Sequence, residues 1–256
     1  MITQPIVLMY HGIVTPQAPA PKERETGADL YDVSEKNFRA QLSWLKEHLY
    51  RTVTIHKNLD AFSTKEILLT FDDGEMNNYS VALPLLKEFG FAGHFFLIAK
   101  RIGKEGYMGW EQLRQLNADG MIIGSHGFSH EILTNLLDTQ LQEELSASKK
   151  HLERNLGIPI ESISIPRGFC NEKIVRMASE AGYRYIFVSE KLDGGGTNCL
   201  SRVAVKSNWT IDRFAQAMQG AAPIKEKIFA SCKNGIKKIV GGSVYDWIRR
   251  MMLKIK

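Results

Sequence analysis

Ile67-Leu68-Leu69-Thr70-Phe71-Asp72-Asp73-Gly74 decides how this chain is read. Five largely apolar residues run without polar alternation into two acids and a glycine. Such a run is too short for a helix and suits a strand buried on both faces. Similar runs recur at Ile6–Tyr10, Phe95–Ile98, Met121–Ile123, Ser162–Ile165, Tyr185–Val188 and Val203–Val205. Between them the spacing predicts helices over Ser34–Leu49, Tyr79–Phe89, Trp110–Leu116, Thr139–Leu156 and Glu172–Ala181. Ser34 is the expected N-cap of the first, whose apolar face would be Phe38, Leu42, Trp44, Leu45 and Leu49. Gly157 and Gly182 stand where left-handed cap residues are expected. Strands alternating with helices imply parallel pairing under a helical cover. No glycine-rich nucleotide loop follows the first run, so the expected fold is α/β, a distorted or incomplete (β/α) barrel of seven to eight parallel strands.

The charge is unevenly spread. The chain has 256 residues and a net charge of +5. Residues 221–256 hold nine Lys/Arg against two Asp/Glu, a net of +7, which leaves −2 for the first 220. A nucleic-acid surface would need a basic stripe on the main domain, so that class is set aside. The expected division is a catalytic barrel over 1–220 and a basic helical tail over 221–256. Val244, Trp247, Ile248, Met251 and Ile255 fall at helical spacing with Arg249, Arg250, Lys254 and Lys256 between them. Residues 243–256 could therefore touch an anionic membrane surface, or pack on the barrel or another subunit. Met1–Gly12 lacks the pattern of a signal peptide, and Cys170, Cys199 and Cys232 form no CxxC pair. The expected residence is cytoplasmic, with peripheral contact at the inner membrane face if the tail binds lipid.

In barrels of parallel strands, function gathers on the loops after the strand C-termini. His11 follows the first run, Asp72 and Asp73 follow the second, and His126 and His130 follow Met121–Ile123. Adjacent acids in extended chain point to opposite sides, so the pair can serve one site only if the turn at Gly74 redirects one of them. His126 and His130 in Ser125-His126-Gly127-Phe128-Ser129-His130 are four apart, and on a helical turn both imidazoles would meet one ion. Two histidines and one carboxylate leave positions open for water and substrate, as in catalytic metal sites.

Thr70-Phe71-Asp72-Asp73-Gly74 with Ser125-His126-Gly127-Phe128-Ser129-His130 resembles the polysaccharide deacetylase family, the NodB-homology carbohydrate esterases. Met108-Gly109-Trp110-Glu111-Gln112-Leu113 and Asp119-Gly120-Met121-Ile122-Ile123-Gly124 look like the approach to its second motif. Leu8-Met9-Tyr10-His11-Gly12 is similar to the opening of a subgroup with an early Tyr-His segment. The resemblance covers about residues 5–215. It implies that Asp73, His126 and His130 bind a divalent metal, usually zinc. It implies that Asp72 is the general base, and that an N-acetylated sugar loses acetate through a tetrahedral oxyanion.

Two departures stand out. The third motif reads Ile165-Pro166-Arg167-Gly168-Phe169, with Arg167 in the place of a tyrosine, and its backbone N–H could still serve the oxyanion. Ser164 falls where the family has its base-orienting arginine, which leaves that arginine without a counterpart. No histidine follows His151, so the late Leu-x-His acid is absent, and His11 becomes the expected general acid. Arg202, in Leu200-Ser201-Arg202-Val203, is similar to a late family segment; facing the site and lying on the barrel rim both stay open. Three functions follow in order: an N-deacetylase, a deacetylase-like binding module without turnover, and a non-haem iron oxygenase, which also uses two histidines and a carboxylate. Removal of an O-acetyl group would use the same chemistry.

Overall fold

A computed structural model describes residues 5–55, 62–189, 192, 196 and 198–220. Strand β1 (Ile6–Tyr10) is followed by the short pair β2 (Ile13–Val14) and β3 (Val33–Ser34), then helix α1 (Glu35–Glu47). Next come β4 (Arg51–Thr52), β5 (Glu66–Phe71), a π-type turn over Asn78–Ala82 and α2 (Leu83–Phe89). β6 (His94–Leu97), α3 (Trp110–Ala118), β7 (Ile122–Ser125) and α4 (Asp138–Leu156) follow. The described chain ends with β8 (Ser162–Ser164), α5 (Glu172–Glu180), β9 (Tyr185–Val188), β10 (Cys199–Ser201), β11 (Val203–Ala204) and α6 (Ile211–Met218).

The main sheet runs β10-β9-β8-β7-β6-β5-β1-β11, with β4 added to the start of β5. Its pairings are parallel throughout. The two ends of this path are neighbours in sequence, because only Arg202 separates β10 from β11. The first half of this segment pairs with β9, and the Arg202 N–H continues that ladder to Val188 O at 3.0 Å. Its second half pairs with β1, and the Val205 N–H reaches Met9 O at 2.9 Å. One segment therefore spans both edges and brings the sheet close to a closed barrel.

Side chains alternate between two cores. Val7, Leu68, Phe96, Phe187 and Leu200 fill the barrel interior. Leu8, Tyr10, Leu69, Phe71, Phe95, Ile163 and Ile186 face outward and pack with Phe38, Leu42, Leu113, Leu145 and Ile174 of the helices. Both strand faces are thus dry, which is why the strands read as unbroken apolar runs. Inside, Gly124 makes room for Phe96: a Cβ there would lie 2.5 Å from that ring.

Ser34 caps α1, accepting from the Asn37 N–H at 3.3 Å. Gly157 and Gly182 adopt left-handed φ of 70° and 93° after α4 and α5. Leu49 departs from expectation: α1 ends at Glu47, and Leu49 turns out to solvent with φ 60° and 76% exposure. The apolar face of α1 is completed by buried Gln41, which accepts a hydrogen bond from Tyr10 Oη at 2.9 Å. The short strands β4 and β10 were not expected, since neither carries an apolar run. The tail over 221–256, with the proposed membrane contact of 243–256, lies outside the described residues. Among the described residues no helix is long and apolar enough to cross a membrane.

Candidate metal and catalytic site

The site is built at the C-terminal ends of β1, β5, β7 and β8. Asp72 extends β5, its N–H reaching Tyr10 O at 2.9 Å. The chain then turns sharply, with φ of 72° at Asp73 and 76° at Gly74. Asp73 itself enters the left-handed region, not only the glycine after it, and this brings its carboxylate round to the side of Asp72. That backbone costs a non-glycine residue about 1–2 kcal/mol. A Cβ on Gly74 would meet Leu97 Cδ1 at 2.6 Å, so the turn needs glycine there.

His126 and His130 do not sit on a helical turn. His126 continues β7, donating its N–H to Leu97 O at 2.7 Å, and the loop then runs beside the end of β6. Gly127 and His130, with φ of 77° and 69°, fold this loop so that the two imidazole centroids lie 4.8 Å apart. The spacing in HxxxH is therefore met by loop geometry.

Asp73, His126 and His130 offer ligand atoms that all lie within 4.8 Å of one another, and no other such group occurs among the described residues. Asp73 Oδ1 is 3.5 Å from His126 Nε2 and 3.6 Å from His130 Nε2. That oxygen is buried and has no hydrogen-bond partner, a condition native structures rarely leave uncompensated. Both imidazoles are turned with Nε2 inward. His126 Nδ1 is 2.8 Å from Ser164 O, which can only accept, so Nδ1 carries the proton and Nε2 keeps its lone pair. Burial, against the pull of Asp72, pushes the His126 imidazole down to about 4, so it is neutral at neutral pH. Two inward-facing imidazole nitrogens beside a bare carboxylate oxygen suit a divalent cation with nitrogen and oxygen ligands.

Asp72 lies beside this group, with Oδ2 3.7 Å from His126 Nε2. Arg202 grips both its oxygens, Nη1 to Oδ1 at 2.7 Å and Nη2 to Oδ2 at 2.8 Å. Ser164 Oγ donates to Asp72 Oδ2 at 3.2 Å and accepts from Arg202 Nη2 at 2.7 Å. Burial raises the Asp72 carboxyl, but the Arg202 charge, His126, the Arg202 hydrogen bonds and His11 together hold it well below the usual carboxylate range. The expectation that no arginine orients Asp72 is thus corrected. The guanidinium arrives from the barrel-closing segment, and Ser164 joins it. Of the two readings left open for Arg202, the geometry matches the one facing the site: the side chain is buried with both terminal nitrogens on Asp72.

His11 directly follows β1, its ring stacked on Tyr31 at 4.9 Å between centroids, and its Nδ1 is buried. Asn78 fixes its backbone, donating Nδ2–H to His11 O at 2.7 Å. Arg167 is half-buried in the Pro166–Gly168 turn after β8, with φ 60° and ψ 0°. That turn lies at the same end of the barrel as Asp72.

Sequence reasoning missed two acids that touch this site. Glu25, on the segment between β2 and β3, is 2.7 Å from His130 Nδ1. It also pairs with Arg101, whose Nη1 is 3.1 Å from Tyr107 Oη. Glu144 of α4 accepts from Ser129 N at 2.6 Å and Ser129 Oγ at 2.9 Å, pinning the His126–His130 loop. Glu144 had a readable signal, since it sits in the buried stripe Leu141, Leu145, Ser148, Leu152. Glu25 had none.

Residues 60–186 match the family model for polysaccharide deacetylase. Bacillus subtilis YxkH, named as a polysaccharide deacetylase, is 31% identical over 185 residues, covering 70% of this chain and 62% of that protein. A poly-β-1,6-N-acetyl-D-glucosamine N-deacetylase of Staphylococcus aureus is 24% identical over 180 residues, 63% of this chain and 62% of the relative. The chain thus spans about 62% of the length of these curated relatives. The crystal structure of a polysaccharide deacetylase from Bacillus cereus superposes with a TM-score of 0.71 at 25% identity, covering 84% of this chain and 69% of that one. His11, Glu25 and Arg202 fall outside the span of the family match. The chain thus carries a polysaccharide deacetylase domain, matched by that family's model over residues 60–186 and by the barrel of the Bacillus cereus structure.

Proposed function

We propose that this chain is a metal-dependent hydrolase that removes the N-acetyl group from an N-acetylhexosamine unit of a polysaccharide or glycoconjugate. The observation that carries this reading is the convergence of Asp73, His126 and His130 on one point beside an Asp72 held by Arg202. The S. aureus relative, named for poly-N-acetylglucosamine, supports an N-acetylated amino sugar as the substrate class.

Asp73 Oδ1, His126 Nε2 and His130 Nε2 would hold the ion, with zinc as the expected metal. A bound divalent cation lowers the pKa of water and polarises the acetyl carbonyl. Asp72, kept ionised by Arg202, accepts the proton of the attacking water. Ser164 and the two guanidinium nitrogens hold that carboxylate so that it does not swing toward the metal ligands. The backbone N–H of Arg167 is the proposed donor to the oxyanion. His11, its ring fixed by Tyr31, delivers the proton that the leaving amine needs.

Arg202 bears on the reading of a binding module without turnover. That reading drew on a missing base-orienting arginine and a missing late histidine, and Arg202 supplies the first function from elsewhere in the chain. The parallel β/α barrel also argues against the oxygenase. The test is acetate release from β-1,6- and β-1,4-linked N-acetylglucosamine oligomers after chelation and again after zinc is restored. Release that needs metal and disappears in Asp72→Asn is expected; release indifferent to metal, or equal in the variant, overturns the proposal.

A further inference from the structure

We propose that Glu25 is a positioning residue of the metal centre: from a segment outside both motifs, it fixes the ring orientation and tautomer of His130. This rests on the reading that Asp73, His126 and His130 hold a divalent cation.

His130 is the ligand with the weakest local support. His126 continues a β-strand and is tied to Ser164 O through Nδ1. His130 lies at the end of a loop, in a left-handed conformation, with no ladder hydrogen bond to orient it. Its Nδ1 faces Glu25 Oε1 at 2.7 Å. A carboxylate only accepts, so Nδ1 carries the hydrogen, and Nε2 is the ring nitrogen left to face Asp73. Such a partner raises the basicity of the coordinating nitrogen and stops the ring from flipping. Arg101 secures the same carboxylate oxygen from the other side and is in turn in contact with Tyr107.

A plain strap-holding role for Glu25 fits less well, because the segment is anchored without it. Arg24 binds Asp32 through both its terminal nitrogens, at 2.6 and 2.5 Å, and reaches Glu75 at 3.2 Å. Tyr107 Oη donates to Glu23 O at 3.2 Å, and Pro21 packs so closely on Gly106 that a Cβ there would lie 2.9 Å away. The contact with His130 is over and above these anchors.

The experiment measures zinc affinity of the full chain by competition with a chromophoric chelator, together with the visible spectrum of the cobalt(II)-loaded protein. Wild type, Glu25→Gln, Glu25→Ala and Asp73→Ala are compared. Glu25→Ala should bind zinc about 10–100-fold more weakly and show an altered cobalt spectrum. Glu25→Gln, which still accepts from Nδ1 but without charge, should fall between it and wild type. If Glu25→Ala does not fold, the nearly isosteric Gln variant carries the test. Zinc affinities of both variants within about threefold of wild type, with unchanged cobalt spectra, overturn the inference while leaving the metal site standing. A wild type that binds no more metal than Asp73→Ala overturns the underlying reading as well.

Discussion

Arg202 and Asp72, 130 residues apart in the chain, meet as a two-pronged ion pair buried at the mouth of the barrel, 2.7 and 2.8 Å between their atoms. Arg202 reaches this position because it is the one residue between the strand that pairs with β9 and the strand that pairs with β1. Closing the barrel and orienting Asp72 are therefore served by the same short segment.

Removing one member of a buried pair leaves the other charged and unpaired. Arg202→Gln should cost about 3–5 kcal/mol in urea unfolding. It should also move the acidic limb of the pH–activity profile upward, because the Asp72 carboxyl loses the guanidinium that holds it down against burial. Arg202→Lys should recover only part of either loss, since an ammonium cannot match both oxygens. An unmoved acidic limb in Arg202→Gln would show that the pair does not tune Asp72.

His126 sets a pH dependence in the metal-free protein. Its folded imidazole is pushed from 6.5 down to about 4 by burial, so between these values the unfolded chain binds a proton that the folded chain refuses. Stability should fall as pH drops from about 6.5 to about 4, the unfolded state binding more protons in that window. Melting temperatures of chelator-treated protein across that range, beside His126→Gln, check this. A slope that is the same in the variant would assign the effect elsewhere.

His11→Ala tests the proton donor. General acid catalysis contributes about 10²–10⁴-fold, so turnover should drop by about that factor while bound zinc per chain stays unchanged. Equal turnover removes His11 from the chemistry.

Glu144 and Gly127 hold the histidine loop from behind. Glu144→Leu leaves the Ser129 N–H and hydroxyl without their acceptor and should cost about 1–3 kcal/mol. Gly127→Ala meets a φ of 77° and would bring its Cβ within 3.1 Å of Glu144 Oε1 and 3.2 Å of Pro166 Cγ, so it too should destabilise. Denaturant midpoints of the two variants read both effects; midpoints matching wild type would mean that the loop is held by other contacts.

The sequence by itself determined the central parallel strands β1, β5, β6, β7, β8 and β9, because they are buried on both faces and announce themselves as apolar runs, whereas the short β4 and β10 carry no such run. The Phe71-Asp72-Asp73 junction and His126 with His130 were equally legible, since strand ends and ligand spacing are local properties. The mode of their meeting was not: the expected helical turn is a loop, because left-handed backbone at Gly127 and His130 and the brace from Glu144 override the i, i+4 reading. Leu49 looked like part of a helix face until the end of α1 turned it outward. Only the tertiary structure decided that Arg202 holds Asp72 and that Glu25 faces His130. Those contacts join residues more than a hundred positions apart, and a single sequence carries no signal for which surfaces a closing barrel will bring together.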